Sequence, residues 1–302
     1  MHKAAEKLLW RVVTLLCAIF LGGFYAEAQS RMPEIKLPEP PAPKTAVDSL
    51  EERPYFLLID QSEKALEAGD FEAAALRLVE AMGVEPDNAL NVALLSNLGM
   101  IYYYNEQDSL ALVVLDKAIE RAPRLIAPRE GRARILVGLG RDGEAYQEYE
   151  NILAIDSINT EVRFLHGMMA LYGGDLETAL ADIAVLDRVI PKSSTTTLAH
   201  AVLFSMTGNE LEAISLFRKL IENDPSPEYY GQMVACQLAI DRLGDASDAI
   251  GKWGEKYPND PELYYYRAIL NKKRYLMDEA HRDAKRAIAL GADAQKVLQI
   301  FK

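Results

Sequence analysis

Seven alanines recur at near-regular intervals along the chain, and this spacing constrains its fold more than any other feature. The steps between them are 37, 34, 34, 34, 36 and 31 residues. The alanines are Ala74, Ala111, Ala145, Ala179, Ala213, Ala249 and Ala280. A period of this length is typical of helical repeat arrays, in which each unit buries its apolar face against its neighbours. The spacing therefore predicts an all-α array.

The first 28 residues have the pattern of a secretory signal peptide. Three basic residues precede an uncharged stretch from 12 to 26, and Ala26 and Ala28 are small residues at the two positions that signal peptidase reads. We therefore expect cleavage after Ala28. A retained membrane anchor is the alternative, but an uncharged helix of this length spans about 22 Å, short of the roughly 30 Å hydrocarbon layer. Lipidation of Cys17 is disfavoured because Leu16 precedes it and the apolar run continues beyond it.

Charge and cysteine content exclude some function classes. The formal net charge is −12, and no run of Lys or Arg forms a stripe, so nucleic acid is not an expected partner. Removal of the signal peptide leaves Cys236 as the sole cysteine, so the mature chain has no internal disulfide. The chain also lacks an Asn-x-Ser/Thr site, which favours a bacterial envelope over a eukaryotic secretory route.

The mature chain divides into a linker and a long periodic region. Residues 29–53 contain five prolines between positions 33 and 43 and are expected to form an extended spacer. From residue 54 onward, apolar residues recur at helical intervals. A glycine precedes the key alanine by five residues in five units, as Gly69, Gly140, Gly174, Gly208 and Gly244. A proline closes most units, as Pro86, Pro123, Pro191, Pro225 and Pro258.

These features give the chain a specific resemblance. The signature residues between 92 and 123 are Leu95, Leu98, Gly99, Tyr102, Ala111, Leu115, Ala118 and Pro123. In this pattern the chain resembles the tetratricopeptide repeat (TPR) proteins over residues 54–292, as seven repeats, with residues 293–302 as a C-terminal capping helix. Two departures are that the sixth unit is three residues short and carries Gln237 at the position of a small residue.

The resemblance implies a right-handed TPR α-solenoid whose first helices line a concave groove. Aromatic, methionine and a few basic side chains are expected to face that groove, as adaptable peptide-binding surfaces require. The candidates are Phe56, Ile59, Met100, Tyr103, Tyr104, Arg134, Phe164, Met168, Tyr172, Met206, Tyr265 and Tyr266. The alternative for each of them is packing against the adjacent first helix.

Some polar residues are of the types found in catalytic or metal sites, but their spacing favours a structural role. A basic residue or histidine on the first helix recurs sixteen residues before an acidic one, in the pairs Arg132 with Glu148, His166 with Asp182, and Arg267 with Asp283. We expect these pairs to bridge the two helices of one repeat. His200 has no acidic partner at that spacing, and no ligand set completes a metal site.

The sequence thus favours an exported, non-catalytic scaffold of a bacterial periplasm or outer envelope. Its expected partner is a protein or peptide segment from an envelope protein. Neither a cofactor nor a metal is expected, and no stable membrane insertion is expected after signal cleavage. The alternative is a subunit of a secretion, outer-membrane or cell-wall assembly complex that docks by its ends or convex face. A glycan-processing enzyme is a remote alternative, because the repeat phase accounts for every candidate acid-base pair.

Overall fold

The computed structural model describes residues 53–302, so the predicted signal peptide and almost all of the linker lie outside the described residues. The chain divides into two compact units, one ending at Gly173 and the other running from Gly174 to Lys302. Across the described residues the secondary structure is helical, with no strand. None of these helices is both long and apolar enough to cross a membrane.

The first unit contains seven α-helices. They are α1 (Pro54–Glu67), α2 (Phe71–Val84), α3 (Asn91–Tyr104), α4 (Asp108–Arg121), α5 (Ile126–Gly138), α6 (Asp142–Ile155) and α7 (Thr160–Tyr172). Helices α1 and α2, α3 and α4, and α5 and α6 pack as antiparallel pairs, and the first helices α3 and α5 also contact each other.

The second unit contains eight α-helices and a terminal 3-10 turn. They are α8 (Leu176–Val189), α9 (Ser194–Met206), α10 (Glu210–Asn223), α11 (Pro227–Ala239), α12 (Leu243–Lys256), α13 (Pro261–Lys273), α14 (Met277–Ala289), α15 (Ala294–Leu298) and the turn Gln299–Phe301. The predicted all-α class is confirmed, with paired helices consistent with about seven repeats and a capping helix.

One residue with positive φ reverses the chain before each second helix. In all seven turns this residue lies five positions before a fully buried alanine of the next helix. In three turns the residue is not glycine but Glu106, Asp241 or Tyr275, with φ between 55° and 63°. The glycines at the other four turns are Gly69, Gly140, Gly174 and Gly208.

The sixth repeat corrects the sequence prediction by three residues. The left-handed residue of its turn is Asp241, whereas Gly244 lies inside α12 without a positive φ. Five residues after Asp241 comes Ala246, which is fully buried, so Ala246 and not Ala249 is the key alanine. The prediction was wrong because two alanines lie three residues apart and because an aspartate, which tolerates this conformation, replaces the expected glycine.

The corrected phase removes one apparent irregularity and moves another. The steps from Ala213 to Ala246 and from Ala246 to Ala280 are 33 and 34 residues, so the sixth repeat is not short. The small-residue position of its first helix falls on Val234, not on Gln237, so this repeat still departs from the pattern there. The remaining long step, 37 residues from Ala74 to Ala111, reflects a longer connection between α2 and α3.

A buried asparagine holds that longer connection in place. The Asn91 side chain donates hydrogen bonds to the carbonyl oxygens of Glu85 at 2.7 Å and Pro86 at 3.0 Å. Its Oδ1 accepts a hydrogen bond from the Tyr55 hydroxyl at 3.0 Å. Because buried polar groups are costly unless they are paired, these three bonds fix where α3 begins relative to α1.

Trp253, the only tryptophan after residue 28, fills the core between the sixth and seventh repeats. It is fully buried and its Nε1 donates to Asp260 Oδ2 at 3.0 Å. Its ring stacks on Tyr230 with centroids 6.1 Å apart. Gly231 makes room for it, since a Cβ there would lie 3.4 Å from the indole ring.

We predict that Trp253→Ala lowers the free energy of unfolding by about 3–5 kcal/mol, because it empties a fully buried aromatic site. Trp253→Phe retains most of the apolar volume and should cost less. Chemical denaturation followed by circular dichroism measures both. The native tryptophan emission should be blue-shifted and should move to the red in denaturant. An Ala variant that unfolds at the same denaturant concentration as the parent would contradict the burial.

Candidate functional site

Two of the three predicted helix-to-helix ion pairs are confirmed. Arg132 Nη1 lies 3.0 Å from Glu148 Oε1, and Arg129 adds a second contact to the same carboxylate at 2.9 Å. In the second unit, Arg267 binds Asp283 through two hydrogen bonds, from Nε at 2.9 Å and from Nη2 at 2.5 Å. These pairs join the two helices of one repeat, so they have a structural role.

His166 and His200 differ in what the structure shows of their acidic partners. His166 and Asp182 belong to different units, and their pairing stays a prediction; each is buried in its own unit. His200 has an acidic partner that the spacing rule did not predict, since its Nε2 lies 2.9 Å from Asp187 Oδ1. Asp187 is thirteen residues before His200, on the second helix of the preceding repeat. Among the residues from 53 onward, no three side chains of metal-binding type cluster together.

In the first unit, candidate residues of α3 lie across glycines of α5. A Cβ on Gly131 would lie 2.9 Å from Met100 Sδ, and a Cβ on Gly138 would lie 3.1 Å from the Tyr103 hydroxyl oxygen. The two glycines therefore allow these side chains to lie close against α5, where each remains half-buried. We call Met100, Tyr103, Tyr104 and Arg134 the α3–α5 ledge.

Aromatic contacts fix the outer end of this ledge. The Tyr104 ring stacks on Phe71 with centroids 6.2 Å apart and contacts Tyr103 at 5.7 Å. Phe56, another candidate, packs edge-on against Tyr55 at 5.2 Å and lies under the guanidinium of Arg53. Tyr172 is also half-buried. The rings are thus held in place while each stays partly exposed, which lowers the entropy lost on binding.

A carboxylate lies on the same strip as Arg134. Desolvation raises the pKa of Glu130, and the nearby charge of Glu161 raises it further. A hydrogen bond with the Asn159 side chain and the charge of Arg134 act in the opposite direction. The apolar, aromatic and basic side chains of the ledge therefore lie near two acidic groups, a combination that suits a peptide with mixed polarity.

Three candidates of the first unit lie in the core. Ile59 is 3% exposed, and Phe164 and Met168 are each 6% exposed. Ile59 belongs to the cluster formed by the buried residues of α1 to α4. In the state described here these side chains serve packing, which is the alternative stated for each candidate above. The residues offered to a partner are therefore fewer than the sequence pattern suggests.

The candidates of the second unit form a separate aromatic group. Tyr265 and Tyr266 contact each other at 5.2 Å, and Tyr266 also contacts Trp253 at 6.1 Å. Lys296 Nζ lies 4.3 Å from the Tyr265 ring centroid and 2.8 Å from Glu262. Burial raises the pKa of Tyr265 to about 12, with a smaller contribution from Glu262. Met206, on α9, is half-buried.

Sequence reasoning missed Glu130 and Lys296. Glu130 lies four residues before Arg134 on the same helical face, so the spacing alone could have predicted that the two side chains are neighbours. Lys296 reaches Tyr265 from the capping helix, a contact that depends on how that helix docks. Val297 holds the capping helix in place, because it is buried in a cluster with Ala284 and Ala287.

We predict that Glu130→Gln raises the free energy of unfolding at pH 7. The raised pKa means that the folded state disfavours the ionised carboxylate, so its neutral substitute removes a cost present above the folded-state pKa. Below the ordinary glutamate pKa of about 4.3 both forms are neutral, and the difference should vanish. Denaturation at several pH values measures this.

Glu120→Gln is the matched control. Glu120 is exposed on α4, and its substitution removes one negative charge from the same unit. A Glu130→Gln variant that is less stable than the parent at pH 7 would show that the carboxylate is needed in its charged form. If both substitutions raise the free energy of unfolding equally, the increase comes from the change in net charge and not from the surroundings of Glu130.

Comparison with solved structures supports the repeat assignment. A tetratricopeptide repeat protein from Parabacteroides merdae ATCC 43184 matches with a TM-score of 0.70 and 26% identity over 82% of this chain and 97% of its own. PilW, a widely conserved type IV pilus biogenesis factor, matches with a TM-score of 0.59 and 15% identity over 71% of this chain and 100% of its own.

A chain of the APC/C hetero-tetramer Cut9-Hcn1 has a TM-score of 0.57 and 14% identity over 84% of this chain and 56% of its own. The last two similarities concern the fold alone. Neither the family models nor the curated proteins give a match. The paired helices, the repeat period and these similarities together establish that the chain has the fold of a tetratricopeptide repeat protein.

Proposed function

We propose that this protein is a non-catalytic scaffold that binds extended or helical segments of a partner protein on its first-helix surface. TPR folds generally serve protein–protein interaction. The α3–α5 ledge supports this role most directly, because Met100, Tyr103 and Tyr104 lie half-buried on glycine-containing α5 beside Arg134. Pre-positioned aromatic and methionine side chains offer contact area at low entropic cost.

We further propose that the partner is an envelope protein, because the chain has the pattern of a signal peptide. If export occurs as expected, the protein recovered from its own cells begins at Gln29. N-terminal sequencing of that protein measures this. Recovery of a membrane-bound chain that still begins at Met1 would contradict export with cleavage.

Docking by the second-helix surface is a second candidate function, as expected for a subunit of an assembly complex. It is favoured by exposed apolar side chains on α2 and α4. Leu76 is 52% exposed and Val113 is 50% exposed. Isolated exposed apolar residues are common on soluble proteins, so this observation weighs less than the ledge.

We predict that Tyr104→Ala weakens partner binding by about 1–2 kcal/mol or more, as truncation of an aromatic anchor does. The partner is first isolated by affinity purification and then titrated calorimetrically against each variant. Leu76→Ala is the matched control, since it truncates an apolar side chain of the same unit on the second-helix surface. Circular dichroism checks that both variants fold.

The two candidates give opposite results in this experiment. Weak binding by Tyr104→Ala and normal binding by Leu76→Ala support the first-helix surface. Normal binding by Tyr104→Ala and weak binding by Leu76→Ala reject it in favour of the second-helix surface.

A further inference from the structure

The α3–α5 ledge has a negatively charged border on α1. Counted from the key alanine of each repeat, Glu63 lies at the position that Met100 has in α3. Glu67 lies at the position of Tyr104 in the same way, and both glutamates are exposed. In α5 the first of these positions is Arg134, so of these three first helices α1 alone places carboxylates there.

A ring contact places the α1 glutamates beside the ledge. The Tyr104 ring stacks on Phe71 with centroids 6.2 Å apart. Phe71 begins α2 four residues after Glu67 ends α1, so Tyr104 lies against the turn that follows Glu67. Glu63 lies one helical turn earlier on the same face of α1. The two carboxylates therefore border the aromatic end of the ledge.

The surroundings of these two glutamates within α1 disfavour negative charge. Burial raises the pKa of Glu63, and the charges of Asp60 and Glu67 raise it further. Lys64 is the only cation of α1 and is paired with Asp60 at 2.6 Å, so α1 keeps a net charge of −2. Like charges four residues apart destabilise a helix, and negative charge at a helix C-terminus opposes the helix dipole. Folding of α1 therefore does not explain why glutamate occupies both positions.

A second pair of carboxylates lies on the α5 side of the ledge. Glu130 of α5 and Glu161 of α7 are close, since the charge of Glu161 adds to burial in raising the pKa of Glu130. Arg134 acts in the opposite direction, but it is a single cation. With Asp60 and Lys64 counted as neutral, four glutamates against one arginine leave the ledge and its two borders net negative.

Tyrosine rings beside carboxylates are suitable surroundings for a lysine or arginine side chain. A cation is attracted to the face of an aromatic ring when it lies within about 6 Å of the ring centroid. Tyr103 and Tyr104 are partly exposed, and Met100 offers apolar surface to the aliphatic stem of the same side chain. The formal net charge of −12 also attracts a basic segment from a distance.

Resting on the proposed function of the ledge, we infer that its partner is a basic segment, which places a lysine or arginine between Glu67 and the Tyr104 ring. The cation also faces Glu63, so it relieves the repulsion between the two carboxylates. An apolar side chain of the segment lies next to it on Met100. A second basic side chain, further along the segment, faces Glu130 and its neighbour on α7.

The test titrates two acetylated and amidated hexapeptides into the chain from Gln29 onward, with labelled methionine methyl groups followed by NMR. The basic probe is Ala-Lys-Leu-Phe-Lys-Ala, and its neutral match has glutamine in place of both lysines. We expect the basic probe to shift the Met100 methyl signal with a Kd of roughly 1 mM. The neutral probe should bind at least about tenfold more weakly, since one charge about 4 Å from a carboxylate in water is worth about fivefold. Met206 belongs to the other unit and should not shift.

Glu63→Gln combined with Glu67→Gln is the diagnostic variant. It should weaken binding of the basic probe at least about tenfold and leave binding of the neutral probe unchanged. Because it removes like-charge repulsion from α1, its unfolding temperature should equal or exceed that of the parent, which separates lost binding from misfolding.

Glu120→Gln combined with Glu150→Gln is the matched control. Both glutamates are exposed on second helices of the same unit, so the control removes the same two charges away from the ledge. At physiological salt it should change the affinity for the basic probe less than about twofold, because distant exposed charges are screened.

The inference is overturned if the neutral probe binds as tightly as the basic probe, or if the folded variant of Glu63 and Glu67 binds the basic probe as the parent does. It is likewise overturned if the basic probe at several millimolar leaves the Met100 signal unshifted. Failure of the proposed function is a different result, which is normal partner binding by Tyr104→Ala. A ledge that binds without preference for charge is therefore distinguished from a ledge that does not bind.

Discussion

Close contact between the paired helices within each unit is the constraint on which the rest of this structure depends. The seven key alanines, with Ala246 in place of Ala249, are all fully buried. Twelve residues before these alanines, the first helix carries a small residue in every repeat except the sixth, which has Val234. At Gly99 a Cβ would lie 2.6 Å from Leu115 Cγ, closer than packed atoms approach. Because the face of the first helix that packs on its partner helix is buried in this way, it leaves the opposite face for a partner protein.

The period and the helix pairs could be predicted because they depend on residues close in sequence. The bridge from Arg132 to Glu148 followed from sixteen-residue spacing, which carries the chain across one turn. The bond from His200 to Asp187 did not, since it joins neighbouring repeats and depends on how their helices pack. The sixth turn was misplaced for a simpler reason, that an aspartate, Asp241, adopts a conformation usually given to glycine.

The sequence predicted which helix face the candidate residues occupy but not which of them are exposed to solvent. Helical spacing assigns a residue to a face, and Phe164 and Tyr104 were assigned in the same way. Whether the face remains open depends on the volumes of neighbouring side chains. At Tyr103 the neighbour is Gly138 and the ring lies half-exposed on it, whereas Phe164 is buried. Small residues on α5 therefore decide what the aromatic residues of α3 present to solvent.

Two glycines of this chain show how differently the same residue type acts. Gly99 is required by sterics, because the Leu115 side chain occupies the space of any Cβ. No such contact requires Gly254, where a Cβ fits and where a glycine costs the helix roughly 0.5–1 kcal/mol relative to alanine. Packing alone would therefore favour an aliphatic residue at Gly254, as in most other repeats. Gly254 is thus a local loss of stability that packing within the second unit does not explain.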